Sequence, residues 1–338
     1  MEGDTAEQRR ELRKLINGFQ ASQALYALTA LGIPDLLGDG RRAAADMADA
    51  AGANPAALGR LLRAAAALGI LDEDSSQSFA LTPLGKGLRS DVPGSLAGWT
   101  ALIGTPNFWQ NWGQLVESVR TGETGWRSRH GVDAWTYRSQ HPEDGKVFDE
   151  AMVSFIGAET EALTGAYDFS PFRTIVDVGG GRGALLAEIL RVTPGSAGVL
   201  FDQPHVVEMA QGLLRERGVA DRCRVEAGSF FDSVPGGGDA YVLKSVLHDW
   251  HDTEARRILE TCRRAGPIGL VLLVMERILD PPNLGPETKL GDLNMLVGPG
   301  GQERSAEEFA GLFSSAGFNL RRVVPTAGPF RILEAAPA

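Results

Sequence analysis

From Thr174 onward, short apolar runs alternate with stretches of helical periodicity, and few folds accommodate that alternation. The runs are Ile175–Val178, Gly198–Phe201, Arg224–Glu226, Ala240–Lys244 and Leu270–Met275. A strand followed by a helix and then another strand closes into a parallel sheet through right-handed crossovers, with helices on both faces. A last pair of runs, Leu320–Val324 and Pro329–Ala335, reads as a closing hairpin. The expected fold class is therefore α/β, with a doubly wound, mostly parallel sheet of seven strands.

The chain of 338 residues is long for a single domain, so a second body is expected before this sheet. Residues 5–31 carry apolar side chains at helical spacing, ended by Gly32-Ile33-Pro34. A short helix is expected around Asp35–Leu37, a second over Arg42–Ala51, and a third capped by Asn54 and running to Gly69. Two strand-like pieces follow, Ile70–Glu73 and Ser78–Leu81. That order has the look of a winged helix-turn-helix and raises the possibility of a DNA-binding regulator. Charge argues against it: between Asp35 and Asp91 there are 6 basic and 8 acidic residues, and the whole chain carries −10. A groove-reading helix would carry more donors than Arg60 and Arg63. A packing and dimerising module is the expectation, with no nucleic-acid partner.

Residues 96–170 read as helical and hold five of the six tryptophans. Ordinary packing accounts for most of them, and an apolar wall for an aromatic ligand is the functional alternative. The expected division is 1–95, 96–170 and 171–338. Cys223 and Cys262 are too few for a disulfide framework and read as small buried residues. No apolar run is long enough to span a bilayer, and residues 1–14 do not resemble a signal peptide. A cytoplasmic protein without a membrane partner is expected.

Two segments carry chemistry. Asp177-Val178-Gly179-Gly180-Gly181-Arg182-Gly183 closes the first parallel strand and opens a Leu-rich helix. Glycines there let backbone approach a ligand, and the helix N-terminus offers free N–H groups. Asp202 ends the next strand, where a ribose-binding carboxylate is expected. The loop alone does not separate NAD from other nucleoside cofactors. The second segment, His248-Asp249-Trp250-His251-Asp252, follows the fourth strand. A histidine at the carboxyl end of a strand is placed for general-base work. A metal site is the weaker reading, since no matching ligands lie nearby in sequence, and none is expected.

With these pieces in order, the sequence from about Leu28 to Ala335 resembles the small-molecule S-adenosylmethionine-dependent O-methyltransferases, plant caffeic-acid-type and bacterial antibiotic-tailoring enzymes among them. The resemblance rests on the glycine loop, Phe201-Asp202-Gln203-Pro204-His205-Val206, Gly228-Ser229-Phe230-Phe231, Leu243 to Trp250, and Gly300-Gly301-Gln302-Glu303-Arg304. It implies a Rossmann-like methyltransferase fold and an N-terminal winged-helix-like dimerisation domain, hence a homodimer. It also implies residue roles. His248 matches the catalytic base, and Glu276 and Glu303 match carboxylates that orient its ring. Gly179, Gly181, Asp202, Phe230, Lys244 and Ser245 match positions that bind S-adenosylmethionine, with S-adenosylhomocysteine as product. Ser229 stands where plant relatives often carry an acid, at the position that meets the adenine. Phe148, Met152, Phe155, Asp249, Asp292 and Met295 match substrate-facing positions. The implied reaction is methylation of a phenolic hydroxyl on a small aromatic molecule. Hydroxylation or decarboxylation on the same fold, and an NAD-dependent enzyme, are the competing readings.

Overall fold

A computed structural model describes residues 2–338, with side chains described for all but residues 2–4 and 153–158. It divides into two compact units. One holds the residues up to Trp109 together with Glu143–Phe155, and the other holds Gln110–Pro142 and Ile156–Ala338. The helical stretch 96–170 is shared between them.

In the first unit the helices Glu2–Ile16 and Gly18–Ala30 stand where one continuous helix is expected. The break falls at Asn17, whose ψ of 4° departs from helical backbone. The expected helix over 42–51 is half formed. Residues Arg41–Ala43 form a strand, β1, and only Ala44–Ala48 is helical. Tertiary pairing overrides helical periodicity here. β1 runs antiparallel to β3 (Ser78–Leu81), which pairs with β2 (Leu71–Glu73) on its other side. The Arg41 guanidinium also donates to the Ser78 carbonyl at 2.7 Å and pairs with Asp72 and Asp74. The helix Pro55–Ala67 begins as expected, with Asn54 Oδ1 accepting the Ala57 N–H at 3.1 Å. Leu28, Ile33, Met47, Leu58, Leu62 and Phe79 close this unit's core. Gly104 packs against Tyr26 so tightly that a Cβ would overlap the ring.

The second unit is built on seven strands in the order β6-β5-β4-β7-β8-β10-β9. These are β4 (Thr174–Val178), β5 (Ala197–Asp202), β6 (Cys223–Ala227), β7 (Ala240–Lys244), β8 (Val271–Arg277), β9 (Phe318–Pro325) and β10 (Phe330–Pro337). The first five are parallel, and β10 inserts antiparallel between β8 and β9. Alternate residues of the central strands bury into opposite cores. Val176, Leu243 and Val274 face one, while Ile175, Val242 and Met275 face the other. A sheet covered on both faces needs near-continuous apolar strands, which is the pattern these segments show. Because β5, β4, β7 and β8 are neighbours and parallel, their carboxyl ends form one row. Asp202, Gly179, Ser245 and Glu276 therefore come from adjacent strand tips, spread over about 15 Å at three strand spacings. Among the described residues no helix is long and apolar enough to cross a membrane. Cys223 and Cys262 are buried free thiols.

Candidate active site

The loop after β4 turns back through three glycines with positive φ, Gly179 at 71°, Gly181 at 60° and Gly183 at 84°. Two of the loop's glycines also sit where nothing larger fits. A Cβ on Gly179 would lie 2.9 Å from Val246 Cγ2, and one on Gly180 would overlap Asp177 Oδ2. The loop therefore presents bare backbone, and the helix Ala184–Val192 starts at its end. Asp202, at the tip of β5, accepts the Gly181 N–H at 2.8 Å through Oδ2 and the Gln203 N–H at 2.6 Å through Oδ1. The carboxylate is tied to the glycine loop itself. Phe230 packs edge-on to Phe231 and Trp250, with centroids 4.9 and 6.0 Å away. Ser229 Oγ accepts the Phe231 N–H at 3.3 Å.

Lys244 is buried, with its ammonium 3.8 Å from Glu159 Oε2 and 4.3 Å from the centre of the Phe330 ring. Burial pulls this amine down to about 8, against the pull of Glu159 and Glu276. Neither Glu159 nor Arg277, which lies 3.6 Å from Glu159, is evident from sequence. Asp177 lies beneath the loop, 2% exposed, and burial followed by the nearby Asp202 charge raises it to about 7.

Ser245 has a φ of 54°, a left-handed backbone that a non-glycine residue adopts at a cost. The bend aims the next three N–H groups at Glu276, fully buried at the end of β8. Its Oε1 accepts from Val246 at 3.0 Å, Leu247 at 2.9 Å and His248 at 3.4 Å. Its Oε2 lies 2.8 Å from His248 Nδ1, out of line with the ring N–H direction. Burial raises the Glu276 carboxyl, but the His248 charge and these donors outweigh it and hold it ionised.

Two more carboxylates approach the ring. Glu303 Oε1 is 3.8 Å from Nδ1, and Asp249 Oδ1 is 3.5 Å from Nε2. Glu303 is raised to about 7 and Asp249 to about 6, both chiefly by burial. Burial lowers the imidazole, yet Glu276, Asp249 and Glu303 together push it up to about 10. Asp292 joins this group from behind by accepting the Glu303 N–H at 2.8 Å, and Met295 lies half-buried on the same helix, Pro286–Val297. Phe148 and Met152 are half-buried residues of the first unit. Phe155 falls outside the residues whose side chains are described. His248, Glu276 and Glu303 each offer an atom within 4.8 Å of the others, a spacing a metal ion could also use.

Backbone glycines at one parallel strand tip, a carboxylate at the next and a carboxylate-flanked imidazole two strands away define an α/β enzyme that works on a nucleoside cofactor. Comparison with known proteins identifies which. Residues 112–319 match the family model of the O-methyltransferase domain, and residues 13–91 match that of the O-methyltransferase dimerisation domain. The chain belongs to the S-adenosylmethionine-dependent O-methyltransferases. It is 41% identical over 329 residues to a phenazine O-methyltransferase of Lysobacter antibioticus, covering 96% of this chain and 95% of that one. It is 43% identical to an O-demethylpuromycin O-methyltransferase of Streptomyces alboniger, covering 96% and 88%. Among solved structures, human N-acetylserotonin methyltransferase in complex with SAM matches with a TM-score of 0.90 at 30% identity, covering 98% of both chains.

Proposed function

We propose that this enzyme methylates a phenolic hydroxyl of a small planar aromatic natural-product intermediate, with His248 as general base. The supporting observation is the imidazole held between Glu276 on Nδ1 and Asp249 near Nε2, at the carboxyl edge of the sheet. The glycine loop and the Asp202 carboxylate fit the cofactor, since positive φ at Gly179, Gly181 and Gly183 turns the loop back at the strand tip, where Asp202 accepts the Gly181 N–H. Gly179, Gly181, Asp202, Ser229, Phe230, Lys244 and Ser245 would hold it. Bound S-adenosylmethionine supplies a methyl group already activated by its sulfonium.

What the protein adds is alignment and proton removal. His248 takes the hydroxyl proton through Nε2, while Glu276 stabilises the resulting imidazolium from the other side. A phenol ionises near 10. Raising the imidazole toward the phenol range narrows the gap in proton affinity between donor and acceptor, which favours the transfer. Glu303, poised near neutrality, adjusts the charge facing the ring. The aromatic acceptors in the names of bacterial relatives, a phenazine and a 3-amino-4-hydroxybenzoate, support the substrate class.

The test is a panel of hydroxybenzoates, hydroxynaphthoates, hydroxyphenazines and hydroxyquinones incubated with S-adenosylmethionine and read by mass spectrometry. Gain of one methylene on a phenol is expected, and His248→Ala should lower turnover by about 10²–10⁴-fold. Turnover within a few-fold of wild type would remove His248 from the base role. Loss of carbon dioxide or gain of oxygen would favour the competing chemistries.

A further inference from the structure

We infer that Arg304 is a positioning residue for the reaction: it latches the backbone on both sides of His248 and delivers Glu303 to the ring. This inference rests on the reading of His248 as base. Arg304 is the largest fully buried side chain among the described residues, 1% exposed. Its Nη1 donates to the Leu247 carbonyl at 3.0 Å and its Nη2 to the Trp250 carbonyl at 2.8 Å. Those two carbonyls bracket His248 and Asp249. Nε and Nη2 also donate to Asp252 Oδ1 at 2.9 and 2.8 Å, so the guanidinium binds three points of the segment 247–252 at once. Its plane packs near the Phe309 ring, 5.9 Å from the centroid.

The backbone around Arg304 acts with the side chain. The Gln302 N–H donates to the His248 carbonyl at 2.8 Å, and the Gln302 amide reaches Asp252 at 3.0 Å. Gly301 lies so close that a Cβ would overlap the His248 carbonyl oxygen. Arg304 bridges to Ile278, two residues past Glu276, and its carbonyl accepts the Leu279 N–H at 3.0 Å. Glu303 sits between Gln302 and Arg304. One short segment is thus tied to the extension of β8, which carries Glu276, and to the loop that carries His248. The distances from His248 Nδ1 to both carboxylates depend on those ties.

Packing alone does not call for a guanidinium here. A buried cation must be paired and hydrogen-bonded, and its carboxylate partner among the described residues, Asp252, has a side chain that is 71% exposed. Arginine's planar fork serves two carbonyls and a carboxylate in fixed directions, whereas lysine offers a single point charge. The mechanism makes no direct use of Arg304, whose guanidinium is engaged with backbone carbonyls and Asp252.

The experiment compares wild type, Arg304→Lys, Asp252→Ala and His248→Ala as full-length proteins. Asp252→Ala removes the latch's outer anchor at an exposed side chain, which keeps the test open if Arg304→Lys folds poorly. Steady-state rates are measured with the fastest phenol of the panel, cofactor affinity by calorimetry, and the His248 titration by NMR of labelled histidine, assigned by the signal missing in His248→Ala. Arg304→Lys should lower kcat by about 10–100-fold, and Asp252→Ala by several-fold, with KM and cofactor affinity near wild type. In both variants the His248 titration should move down, because the carboxylates no longer face the ring as closely. If both fold and keep wild-type kcat and the wild-type His248 titration, the latch is refuted. The same holds if activity falls only in proportion to folded protein while the titration stays in place. If His248→Ala itself keeps its turnover, the base reading fails instead.

Discussion

Glu276 serves His248 with both carboxylate oxygens: Oε2 lies 2.8 Å from Nδ1, while Oε1 accepts the Val246 and Leu247 N–H groups at 3.0 and 2.9 Å. One buried side chain thus sets the charge on the ring and the path of the backbone that carries it. Glu276→Gln keeps the shape, removes the charge and places an amide donor against Nδ1. Turnover should fall on the order of 10²-fold or more. The pH dependence gives a sharper readout. His248 titrates above its usual value, so the rate in wild type should climb as pH rises past neutrality and the imidazole loses its proton. Without the Glu276 charge that rise should occur at lower pH. An unmoved pH–rate profile for Glu276→Gln would contradict the pairing.

Glu303 is expected to contribute an inflection of its own. Burial raises its carboxyl to about 7, so it is protonated in mild acid and ionised above neutrality. In Glu303→Gln the inflection near pH 7 should vanish while the one from His248 remains, displaced to lower pH. The same pH–rate series checks it.

Asp202 joins the tip of β5 to the glycine loop through the Gly181 N–H. Asp202→Ala should weaken S-adenosylmethionine binding by about 1.5–3 kcal/mol, the range for hydrogen bonds to a charged group, with the acceptor KM less affected. Calorimetry reads this directly, and an unchanged dissociation constant would exclude the ribose role.

Asp177 should act on stability rather than chemistry. Its Oδ2 has no hydrogen-bond partner among the described residues, and burial followed by the Asp202 charge raises the carboxyl from 3.8 to about 7. A carboxyl raised in the folded state binds its proton more tightly there than in the unfolded chain. Its stabilisation is complete below pH 3.8 and is lost as pH rises through 7. Asp177→Asn has no proton to lose, so it should melt several degrees above wild type at pH 8, with the gap narrowing toward pH 5. Melting scans at the two pH values suffice. A gap independent of pH would point to another cause.

The N-terminal helices leave an apolar stripe uncovered in the single chain: Leu12 58%, Leu15 79%, Ile16 65% and Phe19 51% exposed. This stripe overlaps the family's dimerisation domain, matched over residues 13–91. Covering such a side chain contributes about 1.5–3 kcal/mol. The double variant Leu15→Asp, Phe19→Asp should therefore shift the protein from dimer to monomer in light scattering, with a melting midpoint that no longer depends on protein concentration. A variant that remains dimeric would move the interface elsewhere.

Much of this molecule is legible in its sequence. The five parallel strands and the final hairpin showed themselves because a sheet buried on both faces demands near-continuous apolar runs, bounded by turns. Asn54 announced a helix start through local capping chemistry, and the observed hydrogen bond to Ala57 follows it. The candidate site is legible in another way, since family resemblance rather than spacing links His248, Glu276 and Glu303. The helical periodicity of Arg42–Ala51 is only half realised, because Arg42 and Ala43 gain more from pairing with β3 than from continuing a helix.

By itself the sequence determined the class of sheet, the glycine cradle with its facing Asp202, and the presence of a histidine at a strand tip. These follow from local periodicity and from residues close together in the chain. Only the tertiary structure decided what surrounds the imidazole: the carboxylate 28 positions away that holds three N–H groups, the strained turn at Ser245, and the arginine 56 positions away that grips the loop. Those contacts join residues from separate strands and loops. Their charges matter only at the distances and burial that folding creates, and residue order alone encodes neither.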